Sequence, residues 1–176
     1  MTSRSHRVLL IEDNLHDADM LRRMIAESAY ASFALEHAPD LDEGLRRLEI
    51  QSFALILLDL SLPDSQGFDT FARVHALSPN VPIVVLTGSD DEALAIESVR
   101  AGAQDYLVKH NMIGPLLARA CRHAIERHRL VEQLQELRQG EEEQREEAER
   151  LRGYQHYLAI GREGCTASIS GPDTID

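Results

Sequence analysis

The sequence predicts an α/β fold, a doubly wound parallel sheet of five strands, and three observations point there. Short apolar runs recur at Val8-Leu9-Leu10-Ile11, Ala54-Leu55-Ile56-Leu57-Leu58, Ile83-Val84-Val85-Leu86 and Tyr106-Leu107-Val108. Runs this short and this apolar suit strands buried on both faces. The segments between them repeat their apolar residues at helical spacing. Strand and helix thus alternate from Arg7 to about His128, as in a sheet covered on both sides.

The first strand ends in Glu12-Asp13, and Asn14 or Asp17 can cap the next helix, which is striped by Ala18, Leu21, Ile25 and Ala29. Phe33 to His37 reads as a weaker strand, and Leu41, Leu45 and Leu48 stripe a second helix. The most apolar run closes on Asp59, followed by Leu60-Ser61-Leu62-Pro63. Phe68, Phe71, Val74 and Leu77 mark a third helix. The fourth strand ends in Thr87-Gly88-Ser89, the fourth helix is striped by Leu94, Ile96, Val99 and Ala101, and the fifth strand ends in Lys109.

One long polar helix begins after Ile113. Leu116, Leu117, Ala120 and Ala124 can cover the sheet, but beyond Arg127 there is no sheet left to cover. Leu130, Leu134 and Leu137 then recur at spacings of four and three, and Gln144, Ala148, Leu151 and Leu158 keep that register, with Glu141 interrupting it. Such a segment is either a parallel coiled coil joining two copies or a single solvated helix held by i,i+4 ion pairs, and the heptad spacing favours the homodimer. Gly140 and Glu141-Glu142-Glu143 allow a break in it.

Composition excludes several classes. The chain has 176 residues, with 30 Asp and Glu against 18 Lys and Arg, a net charge of -12. That balance argues against direct nucleic-acid binding. No apolar run approaches the roughly 18 to 20 residues needed to cross a bilayer, and no secretory h-region follows Met1, so no membrane contact and a cytoplasmic location are expected. Cys121 and Cys165 lack disulfide or zinc spacing. Of the 18 cationic residues only Lys109 is a lysine.

In such sheets functional groups stand beyond the carboxyl ends of the strands. Those ends bring Glu12, Asp13, Asp59, Thr87 and Lys109 together. Converging carboxylates repel unless a cation lies between them. Oxygen ligands without His or Cys suit Mg²⁺. A hydroxyl and an ammonium opposite could hold phosphoryl oxygens, so the set describes phosphoryl transfer to an Asp nucleophile.

The segments VLLIEDN, LILLDLSLPDSQGFD, IVVLTG and DYLVKH, in this order, resemble the receiver domain of two-component response regulators, over about Arg7 to Arg127. The resemblance implies a flavodoxin-like receiver fold whose phosphoacceptor, Asp59, is served by a sensor histidine kinase or phosphotransfer protein. It implies Mg²⁺ held by Glu12, Asp13, Asp59 and the carbonyl of Ser61, and phosphoryl oxygens met by Thr87 and Lys109. Tyr106 matches the aromatic that turns inward when the Thr moves, and the face of the fourth helix, fifth strand and fifth helix would report the change. Pro63 and Gly67 match the turn after the phosphoacceptor.

The family usually has Pro after the Lys, with a cis bond; here His110 leaves either a retained cis bond or a trans loop. Gly88 leaves the phosphoryl site open. A pseudo-receiver that binds partners without phosphorylation is the alternative, and the intact acids and Lys109 argue against it. A phosphatase of the haloacid dehalogenase type would need an Asp where Ser61 stands. The expected organisation is a receiver over residues 1–127, a helical extension over 128–160, and a poorly ordered tail over 161–176. No enzyme core follows the receiver-like part in this sequence, although such helices often precede a cyclase, phosphatase or kinase module.

Overall fold

Alternate residues of a strand face opposite sides of its sheet, so a run apolar at every position asks for helices on both. In the computed structural model, which describes residues 5–27, 33–88 and 91–166, with side chains to residue 155, that demand is met. The elements in chain order are β1 (His6–Ile11), α1 (Leu15–Ala26), β2 (Phe33–Ala38), α2 (Leu41–Ile50), β3 (Leu55–Asp59), β4 (Ser61–Leu62) and β5 (Ser65–Gln66). They continue with α3 (Phe68–Leu77), β6 (Ile83–Thr87), α4 (Glu92–Arg100), β7 (Asp105–Val108), a short 3₁₀ turn at Lys109–Asn111, and α5 (Gly114–Thr166). Five strands form one parallel sheet in the order β2-β1-β3-β6-β7.

Odd and even positions supply two cores. Val8, Leu10, Leu57, Val84 and Leu86 pack with Leu21 and Ile25 of α1 and Leu117, Cys121 and Ala124 of α5. Leu9, Ile11, Ile56, Leu58 and Val85 pack with Leu41, Phe71, Val74 and Ala95 of α2, α3 and α4. Each fully buried Leu, Ile or Val contributes about 1.5 to 3 kcal/mol. At Gly44 a Cβ would lie 2.5 Å from Ile11 Cδ1, so a larger residue there would have to displace the buried Ile11 side chain.

Several details differ from the sequence reading. On α4 the buried residues are Ala95 and Ser98, while Ile96 and Ala101 are exposed. The Ser98 hydroxyl donates to Leu94 O at 2.9 Å, which lets a small polar residue take an inward position. Leu77 of α3 is exposed, and on α5 Cys121, rather than the exposed Leu116, completes the buried stripe. Helix α5 continues through Gly140 and past residue 160 to Thr166, because a glycine in a helix costs only about 1 kcal/mol. Ala29, Ser89 and residues 167–176 of the expected tail lie outside the described residues, as do the side chains of Leu158 and Cys165. The Lys109–His110 bond is trans, since no cis peptide occurs among the described residues. Among those residues no helix is long and apolar enough to cross a membrane.

The β4–β5 hairpin, which the apolar pattern does not reveal, follows the strand that ends in Asp59. Its turn residue Asp64 accepts from the backbone N–H groups of Leu41 at 3.0 Å and Asp42 at 2.8 Å, tying the hairpin to the start of α2. Those two bonds hold the Asp64 carboxyl below its ordinary range despite the opposing effect of burial. Asp64→Ala is expected to lower unfolding stability by about 1 kcal/mol, read from a urea midpoint. An unchanged midpoint would show the tie to be idle.

The backbone divides into two units, residues 1–130 and 131–176. The sheet and its covering helices belong to the first, and the second consists, where described, of helix.

Candidate functional site

The chain leaves β1 for β2 on one side and enters β3 on the other, so the crevice at the carboxyl ends of β1 and β3 is where this topology opens a site. Glu12 and Asp13 follow β1, and Asp59 ends β3 beside it. Asp59 pairs with Leu86 across β3 and β6, and Thr87 pairs with Val108, the residue before Lys109. Register alone therefore brings Asp59, Thr87 and Lys109 to one edge.

The Lys109 ammonium lies 2.6 Å from Asp59 Oδ2, 2.6 Å from Glu12 Oε2 and 3.2 Å from Asp17 Oδ2. Glu12 is fully buried and Asp59 nearly so, whereas Asp13 is exposed. Carboxylate oxygens of Glu12, Asp13 and Asp59 all lie within 4.8 Å of one another. Backbone donors fix two of these acids. The Ser61 N–H donates to Asp59 Oδ1 at 2.9 Å, and the Asn14 N–H donates to Glu12 Oε1 at 3.1 Å. Asn14 caps α1 through Oδ1, which accepts from the N–H groups of His16 and Asp17.

Three carboxylates share one ammonium, and Asp13 stands beside two of them, so the site is short of positive charge. Burial, reinforced by the nearby Asp59 charge, pushes Glu12 up to about 7 against the pull of Lys109. The acids hold Lys109 above its ordinary range, outweighing its desolvation. From about pH 4.5, where unfolded Glu12 loses its proton, to about 7, the folded chain keeps a proton that the unfolded chain has lost, so stability falls as pH rises. The contribution from Lys109 is constant there, being lost only above its unfolded value of 10.5. Metal-free protein is expected to melt at a lower temperature at pH 8 than at pH 5.5, and added Mg²⁺ to lift the pH 8 value most. A melting temperature rising across that window would contradict this electrostatic account.

Thr87 is buried, and its hydroxyl donates to Gly88 O at 2.9 Å. Among the described residues nothing lies within 4 Å of where a Cβ at Gly88 would stand, which leaves room beside Thr87. The Tyr106 hydroxyl donates to Glu92 Oε1 at 2.9 Å, which fixes the ring toward the first turn of α4 and raises the phenol's pKa. Ser61 sits in β4, with its hydroxyl 3.5 Å from Asp91 Oδ2. His110 is exposed.

Two contacts escape the sequence reading. Asp17, considered there only as a cap, meets Lys109; its place in the first turn of α1, directly after the acidic strand end, is the signal that could have found it. His37, read only as the end of a weaker strand, lies with Nε2 2.7 Å from Glu12 O and so fixes the backbone of the acidic pair. Cys121 is buried, and burial pushes its thiol up to about 12, consistent with a core residue.

The donor set fits a hard divalent cation: oxygen ligands only, one of them on an exposed carboxylate, around a buried excess of negative charge. A family model for the response regulator receiver domain matches residues 8–121. The cell cycle transcriptional regulator CtrA of Caulobacter vibrioides is 32% identical over 121 residues, 69% of this chain and 50% of that protein. The methanogenesis regulatory protein FilR1 of Methanothrix harundinacea is 34% identical over 106 residues, 58% of this chain and 23% of that protein. The chain thus spans half or less of these relatives. A CheY-like response regulator receiver domain protein from Methanospirillum hungatei superposes with a TM-score of 0.62 at 25% identity, covering 71% of this chain and 97% of that one. A structure described as adenylate cyclase from Rhodopirellula baltica gives a TM-score of 0.65 at 25% identity, covering 76% and 96%.

Proposed function

Because the chain belongs to the response regulator receiver domain family of two-component systems, we propose that Asp59 accepts a phosphoryl group from a histidine kinase or phosphotransfer protein. The observation that supports this best is the contact of Asp59 Oδ2, at 2.6 Å, with the only lysine of the chain. In this reading an Asp59 carboxylate oxygen forms the new P–O bond. The P–N bond of the donor phosphohistidine breaks, and its imidazole nitrogen keeps the electron pair and takes a proton.

The residues around Asp59 divide the work. The Ser61 N–H on Oδ1 fixes the plane of the carboxylate, leaving Oδ2 to Lys109. Lys109 is a compact cation that can pass from Asp59 Oδ2 to a phosphoryl oxygen, while Glu12 and Asp17 keep its ammonium at the edge. Thr87 can turn its hydroxyl from Gly88 O to another phosphoryl oxygen. Glu12, Asp13, Asp59 and the Ser61 carbonyl are the residues that would hold Mg²⁺, which supplies charge neutralisation for the carboxylates and phosphoryl oxygens. Movement of Thr87 would open room for Tyr106, freeing it from Glu92 and altering the face of α4, β7 and the first part of α5. The complete set of acids and Lys109 gives no support to a receiver that is never phosphorylated.

Incubation with Mg²⁺ and acetyl phosphate is expected to produce one species retarded on a phosphate-affinity gel, absent when either component is withheld. A chain that stays unmodified, and whose fluorescence or NMR spectrum ignores fluoroberyllate, would refute the proposal.

A further inference from the structure

In the second unit of the chain, Val131, Leu134, Leu137, Leu151 and Tyr154 of α5 are between 50% and 66% exposed. Single exposed leucines are ordinary, but these belong to columns. Leu134, Glu141 and Ala148 repeat every seven residues, as do Leu137, Gln144 and Leu151, and the two columns together form an a/d seam. The column flanking it on one side is Val131 followed by Arg138, Arg145 and Arg152; on the other it is Gln133, Gly140, Glu147 and Tyr154.

We propose that this face pairs with the same face of a second copy of the chain, parallel and in register. The flanking charges select the orientation. In a parallel pair each arginine meets the opposite flank five residues earlier, so Arg152 meets the second copy's Glu147, while Arg138 and Arg145 meet the uncharged Gln133 and Gly140 and no like charge. In an antiparallel pair the arginine column runs against itself, setting Arg145 against Arg145 or Arg138 against Arg152 at a repulsive cost. Continuity of the helix through Gly140 and Gly153 keeps the columns on one face. Arg145 already reaches Glu149 of its own chain at 3.5 Å, a pair on the solvent side that leaves the seam clear. Two facing Glu141 residues break the seam, so the association is weak and concentration-dependent, as suits a reversible dimer. None of this depends on the chemistry of Asp59.

The full chain tests the proposal. Sedimentation over rising concentration is expected to move from one chain mass to two, and Glu141→Leu to tighten the dimer at least tenfold. A mass that stays at one chain for both proteins, or passes beyond two, overturns it. Orientation is read by oxidising Leu137→Cys in a Cys165→Ser background. Parallel pairing joins the new thiols to each other; cross-linking only in mixtures with Ala148→Cys would show antiparallel pairing and overturn the proposal. Glu147→Arg should weaken association about three- to tenfold, and adding Arg152→Glu should restore it. Failure of the double exchange to recover the lost affinity overturns the assignment of that pair.

Discussion

Asp59→Asn is expected to abolish phosphodonor-dependent modification, with a loss of at least a hundredfold in rate, measured by gel retardation with acetyl phosphate and Mg²⁺. The amide has nearly the shape of the carboxylate but lacks the charged oxygen that would attack phosphorus. The fold should survive, because Asn can still accept from the Ser61 N–H with its carbonyl oxygen and loses only the ion pair with Lys109. Unchanged far-ultraviolet circular dichroism would separate lost chemistry from lost structure. A variant modified at the wild-type rate would place the acceptor elsewhere and remove the basis of the proposed function.

The second large effect is expected at Lys109. Lys109→Ala strands buried Glu12 and Asp59 without their shared cation, and removing one partner of a buried pair costs about 3 to 5 kcal/mol. The cost should be largest in metal-free protein at pH 8 and much smaller at pH 5, where Glu12, already pushed up to about 7 with the lysine present, takes a proton. Denaturant midpoints at the two pH values, with and without Mg²⁺, check this. An equal loss at both pH values would mean that the lysine acts through its aliphatic stem alone.

Much of the fold was legible because parallel strands buried on both faces are written as uninterrupted apolar runs, and their ends carry the polar residues of the site. Asp59 illustrates this: it closes the most apolar run, and the strand pairing sets it beside Thr87. What stayed hidden arises from contacts between elements. Asp17 reaches Lys109 only because α1 begins right at the acidic strand end. The β4–β5 hairpin has two residues per strand, too few to show periodicity. On α4 a buried serine and an exposed isoleucine reversed the apolar signal, since Ser98 satisfies its hydroxyl within its own helix. On α5 the bland helix propensity of single glycines left a break open that the chain does not make.

The bond from Tyr106 to Glu92 sets the bias of the proposed switch. Water offers a phenol and a carboxylate near-equivalent partners, so a hydrogen bond between them that solvent reaches is a weak net restraint. If it were the main restraint on the inward rotamer, the ring would already spend part of its time inward before any phosphoryl group arrives. A site of this kind behaves as a dimmer with a low idle setting rather than a locked gate. In the proposed switch the regulatory range would be bounded from below by the strength of one exposed phenol–carboxylate contact, and Glu92→Ala is expected to raise the idle output without touching the acidic cluster.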